Sequence, residues 1–282
     1  MMIATSNSNQ RVLNILIFLV LCLGVLFAVA PLLYMASTAL GGVAFVQTYP
    51  PRLIPETINL ENFEQAFSSR NFGRAILNSA GVATSTAVMV TALASMMAYS
   101  FARFDFRGKK VLFGLLLLMI MIPGVVLLIP QFILAKNLGL INSLPGLVLV
   151  YSAGPLAFNT FLLRGFFENL PRELEESAII DGASPFTVFW RVMLPLAAPA
   201  ISTVAVFSFL GAWDEYLLAL NFLTDADLRT LPVAIANFRG QHASNWGLVF
   251  AGSLTAVIPT VLLFIFFQRY FIQGITSGGV RG

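Results

Sequence analysis

Charge is what this chain lacks most: only 10% of its 282 residues are Asp, Glu, Lys or Arg, while 58% are hydrophobic. Soluble domains are roughly a quarter charged, so too little charge is present to coat a water-facing surface, and an ordinary soluble enzyme is disfavoured. The same composition is the reverse of the disordered signature. A single cysteine, Cys22, cannot form an intrachain disulfide or a thiolate metal site and reads as a small hydrophobe. One histidine, His242, leaves no second imidazole for a zinc site or a relay. A net charge of +3, spread thinly, does not suggest nucleic acid as a partner. Phosphate-loop, nucleophile-elbow, His-Glu-x-x-His and Cys-x-x-Cys patterns are all missing, so no catalytic or metal-binding residue is assigned. These exclusions leave a membrane protein, and the apolar runs make it an all-α one.

Six charge-free intervals are each long enough to cross a hydrocarbon core of roughly 30 Å. They run over 12–51, 75–102, 111–135, 137–163, 192–213 and 240–268, with His242 taken as neutral. Their dense apolar runs lack the alternation of membrane strands. Spans are expected near 13–38, 76–101, 112–134, 144–166, 200–222 and 247–268, all within one transmembrane domain covering 1–282. Arg11, the apolar run and Ala28-Val29-Ala30 imitate a signal peptide, but Pro31 would follow the cut and the apolar stretch continues to Leu40. The first span is therefore expected to be retained as an anchor.

Arg103, Arg107, Lys109 and Lys110 crowd one short link, while the next link holds only Lys136. The positive-inside bias places the 103–110 link in the cytoplasm, and six spans then bring both termini to the same side. The largest inner loop runs from about 167 to 199. Ionisable residues of the kind that ion-coupled carriers keep at mid-membrane are nearly absent from the spans. A transporter built this way needs an energy source on a partner.

That inner loop holds the chain's one acidic concentration, Glu173, Glu175, Glu176 and Asp181. Pro171 and the glutamates suit a helix start, Gly182 a turn of positive φ, and Ser184-Pro185 a second start. The second helix carries Phe186, Val188, Phe189, Trp190, Val192 and Met193, too short to span and too apolar to lie free in water. It needs a groove, in a partner or in the lipid interface.

From Glu176 the order is Glu-Ser-Ala, three residues, Gly182, nine residues, then Val192-Met193-Leu194-Pro195. This resembles the EAA loop of ABC-importer permeases, Glu-Ala-Ala-x3-Gly-x9-Ile-x-Leu-Pro, with Ser177 and Val192 as departures. Asn78-Ser79, Ala98-Tyr99, Ala102-Arg103, Pro123, Pro130, Gly139-Leu140-x-Asn142 and the Gln268–Gly274 run are similar to the maltose-type carbohydrate permeases. The resemblance implies a type I importer permease fold with cytoplasmic coupling helices in a prokaryotic inner membrane. It further implies a second permease subunit, two ATP-binding subunits that hold ATP and magnesium, and an extracytoplasmic solute-binding protein. No cofactor is expected on this chain itself. Glu176, Ser177, Ala178, Asp181, Gly182, Ala183, Phe186, Leu194 and Pro195 would form the ATPase-coupling loop.

Asp214 and Glu215 sit inside an otherwise apolar span, and Ser208, Ala212, Glu215 and Ala219 share one helical face. They either line the solute path or make a buried structural hydrogen bond; the family usually shows Trp-Asn-Glu here, so Asp214 departs from it. Asn78, Tyr151, Tyr216 and Trp246 are carbohydrate-contact candidates, with interface anchoring as the alternative for the aromatics. Gly278, Gly279, Arg281 and Gly282 form a tail that either frays or, by the resemblance, reaches the ATPase pair. The rival reading of the whole chain is a stand-alone carrier or channel not driven by ATP.

Overall fold

The computed structural model describes residues 6–41, 54–55, 57–69, 71–239 and 245–279, with side chains described from 10 to 268 within those limits. Among the described residues thirteen α-helices follow one another: α1 (Ser6–Leu40), α2 (Glu61–Ser68), α3 (Phe72–Arg103), α4 (Lys109–Met121), α5 (Leu128–Asn137), α6 (Leu144–Glu168), α7 (Glu173–Ile180), α8 (Pro185–Val188), α9 (Leu194–Leu196), α10 (Ala198–Trp213), α11 (Leu217–Phe222), α12 (Leu231–Ala236) and α13 (Trp246–Gly279). A 3-10 turn, Gly124–Leu127, joins α4 to α5, and a π turn, Phe189–Met193, joins α8 to α9. Among the described residues four helices are individually long and apolar enough to cross a membrane, and two bent pairs raise the number of spans to as many as six.

The bends are where the chain departs from a simple reading of its apolar runs. The interval near 112–134 is two helices meeting at 98°. Pro123 denies α geometry to the residue before it, and Ile122 is accordingly extended at φ −84°, ψ 119°. Pro130 falls in the first turn of α5, where its missing N–H costs no hydrogen bond. The interval near 200–222 is likewise interrupted: α10 ends at Trp213 and α11 begins at Leu217.

Two compact units arise, residues 1–69 with 235–255, and residues 70–234 with 256–282. In the first, the buried Asn62 amide of α2 donates to the carbonyls of Ala39 and Gly41 at 3.0 and 2.8 Å, closing the end of α1. Trp246 is partly exposed there, with the Arg239 guanidinium 5.5 Å from its ring. The apolar residues of α1 from Val12 to Leu33 remain exposed, as a lipid-facing anchor requires.

In the second unit α3 packs chiefly on α6 and α10. Ala83, Ala87, Ala94 and Ala98 bury small side chains along α3 and let its neighbours approach closely. At the 136–143 link, Asn142 adopts φ 56° and its side-chain oxygen accepts from the amides of Thr224 and Asp225 at 3.1 and 2.9 Å. Ser143 caps α6 through the Gly146 amide at 3.1 Å. A methyl on Gly146 would collide with the Leu140 carbonyl and approach Ser143 Oγ to 2.7 Å. Gly146→Ala is therefore expected to destabilise the subunit by about 1–3 kcal/mol, read as a lowered thermal midpoint in detergent.

Candidate functional site

The 167–199 loop folds as a short, stiff lever. Glu173, Glu175 and Glu176 occupy the first turn of α7, at the positive end of its dipole. Gly182 takes φ +85°, its amide donating to the Ile179 carbonyl at 3.0 Å, and turns the chain. Ser184 Oγ accepts from the Thr187 amide at 3.3 Å, and Pro185 opens α8. Pro195 has no N–H to offer Arg191, and the preceding turn widens so that the Leu194 amide reaches Phe189, five residues back. The spacing between Gly182 and Leu194-Pro195 thus spans a cap, one helical turn and a π turn.

One side of the lever is sealed into the bundle. Val188, Phe189 and Met193 are buried with Ala94, Ala98 and Tyr99 of α3 and Leu163 and Phe167 of α6. The other side is open: Ile180 is 84% and Phe186 68% exposed, and Ile179 stands beside them. Glu176, Ser177, Asp181, Gly182 and Pro195 are also exposed, while Ala178, Ala183 and Leu194 are half-buried against the core.

A second set of contacts ties α7 to the end of α3. Arg103 Nε lies 2.5 Å from Glu175 Oε1, with side chains only 5% and 14% exposed. That N–H is not aimed along a hydrogen bond, so the contact is a close charge pair. Arg103 Nη2 also donates to the Leu170 carbonyl at 2.7 Å, and the Tyr99 hydroxyl donates to Glu175 Oε2 at 3.3 Å. Sequence reasoning treated Arg103 as an orientation signal and Glu175 as a dipole partner. Their pairing across 72 positions has no local signature.

The other polar candidates gather elsewhere. A cavity of about 670 Å³ opens between the bend of α4 and α5, the α6 segment around Tyr151, and the break between α10 and α11. Gln131, Tyr151, Ser208 and Glu215 are polar groups on its otherwise apolar wall. The Tyr151 hydroxyl donates to Glu215 Oε2 at 2.5 Å. The same carboxylate accepts the amides of Leu218 and Ala219 at 2.7 and 3.0 Å. A continuous helix would direct those amides to the carbonyls of Asp214 and Glu215, so the side chain caps a new half-helix and the span breaks. The expected face through Ser208, Ala212, Glu215 and Ala219 is therefore not one helical stripe, although Ser208, Ala212 and Ala219 are buried. Asp214 and Tyr216 are exposed on either side of Glu215.

Asn78 is not among the residues lining this cavity. Its amide donates to the carbonyls of Asp227 and Arg229, both at 3.0 Å, beside an Arg74–Asp227 ion pair of 2.7 Å. The tail divides: α13 continues through Gly278 and Gly279, whereas Arg281 and Gly282 lie outside the described residues.

Multiple apolar spans, a helical lever and a polar-studded cavity at two broken helices define a multi-pass membrane protein of the transport class. Residues 90–277 match the family described as binding-protein-dependent transport system inner membrane component, and the chain belongs to that family. Its members are non-catalytic permease components. The chain is 37% identical to the trehalose transport system permease protein SugB of Mycobacterium tuberculosis, over 91% of this chain and 93% of the relative. It is 33% identical to the sulfoquinovosyl glycerol transport system permease protein SmoH of Agrobacterium fabrum, over 89% and 88%. A subunit in the crystal structure of a bacterial ABC transporter that imports the acidic polysaccharide alginate shares the fold, with TM-score 0.84 and 22% identity over 95% of this chain and 100% of that one.

Proposed function

We propose that this chain is a permease subunit of an ATP-driven importer of carbohydrates, of the maltose type, lying in a prokaryotic inner membrane with both termini in the cytoplasm. The names of its relatives, carriers of trehalose and of a sulfosugar glycoside, support a carbohydrate or glycosylated polyol as solute. The chain acts as one permease domain, pairs with a second permease subunit, and receives solute from an extracytoplasmic binding protein. ATP and magnesium reside on two partner subunits, and no cofactor or metal is assigned to this one.

The observation that carries this reading is a rigid lever with one face sealed into the bundle and the other, Ile179, Ile180 and Phe186, bare and apolar. Such a face suits a cleft on a separate ATPase better than solvent. In this reading Glu176, Ser177, Ala178, Asp181, Gly182, Ala183, Phe186, Leu194 and Pro195 form the coupling loop. Closure of the ATPase pair would push on it and tilt the bundle between inward- and outward-facing states, a rigid-body transition between bistable packings. Tyr151, Asp214, Glu215 and Tyr216 would stand along the solute path or its gate. Asn78 would brace the gate from the outer loop, and the 278–282 tail would reach the ATPase pair.

The test is reconstitution in liposomes of this subunit with its partner permease, the ATPase subunits and a loaded binding protein. Carbohydrate uptake that requires ATP and every component is expected. Uptake by this polypeptide alone would overturn the reading in favour of a stand-alone carrier. Asp214→Asn, at an exposed position and keeping a side-chain acceptor, is expected to leave assembly unchanged but to alter sugar preference; uptake and preference equal to wild type would remove Asp214 from the path.

A further inference from the structure

Resting on the coupling role just proposed, we infer that Arg103 is a positioning residue of the energy-transfer step, the strut through which displacement of the lever enters the membrane helices. The lever is joined to the bundle in two ways. Apolar packing of Val188, Phe189 and Met193 holds its second half, and such packing lets helices slide. The first half, α7, has no buried residue of its own. Ala178 makes a small apolar contact with the core, and the rest of what fastens α7 is polar: the Arg103–Glu175 charge pair, the Arg103 donation to the Leu170 carbonyl just before it, and the Tyr99 hydroxyl on Glu175.

Arg103 is the last residue of α3, so the guanidinium links three chain segments at one point: the end of α3, the exit from α6 at Leu170, and α7. The site is dry enough for charge attraction to be weakly screened, with Arg103 only 5% exposed and Tyr99 packed edge-on against Phe104 and Phe167. A buried guanidinium held at once by a hydrogen bond to Leu170 and a charge pair with Glu175 resists sliding, which apolar contact does not. Because α3 packs on both α6 and α10, a push on α7 through Arg103 reaches two of the helices that wall the cavity.

The experiment measures whether α7 and α3 move as one body. Spin labels at Glu173→Cys and Val88→Cys, with Cys22→Ser, are introduced into the full complex, and their separation is read by pulsed electron resonance without nucleotide and trapped with ATP and vanadate. A single narrow distance, unchanged on trapping, is expected with Arg103 present. Arg103→Met is expected to retain the ATPase subunits but at least double the width of the distribution on trapping, and Arg103→Lys to restore most of the narrowness. If Arg103→Met fails to assemble, Arg103→Met with Glu175→Met removes the orphaned carboxylate and is expected to assemble with the same broadening. A distribution as narrow as wild type in either assembled variant would overturn the inference, as would failure of both variants to assemble, since the pair would then serve folding alone. Wild-type protein that retains no ATPase would overturn the coupling role instead, while the width measured on the subunit alone would still decide whether Arg103 welds α7 to α3.

Discussion

Gly182→Pro is expected to leave the subunit inserted at normal levels yet unable to hold or stimulate its ATPase. The residue stands at φ +85°, and proline is locked near −65°, so the turn between α7 and α8 cannot form. Proline also removes the amide that donates to the Ile179 carbonyl at 3.0 Å. Gly182 is exposed, and the core beneath the lever, built on Val188, Phe189 and Met193, does not depend on it. Damage is therefore confined to the direction in which α7 and its apolar tip present themselves. Solute-stimulated ATP hydrolysis should fall at least tenfold, with co-purifying ATPase lost in proportion. Gly182→Ala separates conformation from bulk: nothing lies within 4 Å of the added methyl, so only the left-handed backbone penalty of about 1–2 kcal/mol remains. Glu176→Lys reverses a charge on the exposed start of α7 and is expected to weaken ATPase retention while costing only the helix-dipole contribution of about 0.3–1 kcal/mol in stability. Unchanged stimulation in both Gly182→Pro and Glu176→Lys would remove the lever from the mechanism.

Glu215→Ala is expected to destabilise the subunit by about 2–4 kcal/mol and to depress uptake in the protein that survives. Three donors lose their acceptor together, the amides of Leu218 and Ala219 and the Tyr151 hydroxyl, beside an apolar cavity. Hydrogen bonds to a charged group are worth about 1.5–3 kcal/mol each, and a donor stranded away from water costs about 1–3 kcal/mol, with losses at one centre not additive. Glu215→Gln keeps an acceptor and should cost about 1 kcal/mol. Tyr151→Phe removes one of the three donors and leaves the cap intact, so its loss should also be small. Thermal midpoints in detergent rank the three variants. A midpoint for Glu215→Ala equal to wild type, with uptake abolished, would make the carboxylate a solute ligand and not the cap of a half-helix.

The legible parts of this protein share one property: their physical cause is local. Apolar intervals free of charge announce membrane spans because hydrocarbon rejects charge regardless of what lies next to the helix. Gly182, Ser184, Pro185 and Pro195 announce the lever because each restricts or caps its own few residues. Pro123 could have been read the same way. Its effect on Ile122 is a nearest-neighbour clash, and the 98° bend was visible in principle within the third apolar run.

Other features had no local cause. Glu215 looked like one more polar residue on a helix face; its cap on the amides of Leu218 and Ala219 acts over four residues, but the Tyr151 hydroxyl that joins them, 64 positions earlier, has no local sign. Asn78 suggested a carbohydrate contact from its chemistry, but the carbonyls of Asp227 and Arg229 occupy its amide. Arg103 read as part of a basic link and Glu175 as part of a helix start until the folded chain buried them against each other.

By itself the amino-acid order determined the class of the molecule, its long apolar helices and the turn chemistry of the lever, because solvent transfer and backbone sterics act over a few residues. The tertiary structure alone decided which charges pair across the chain and which polar groups face a cavity. Those outcomes depend on what the remainder of the chain brings within 3 Å or so of each group.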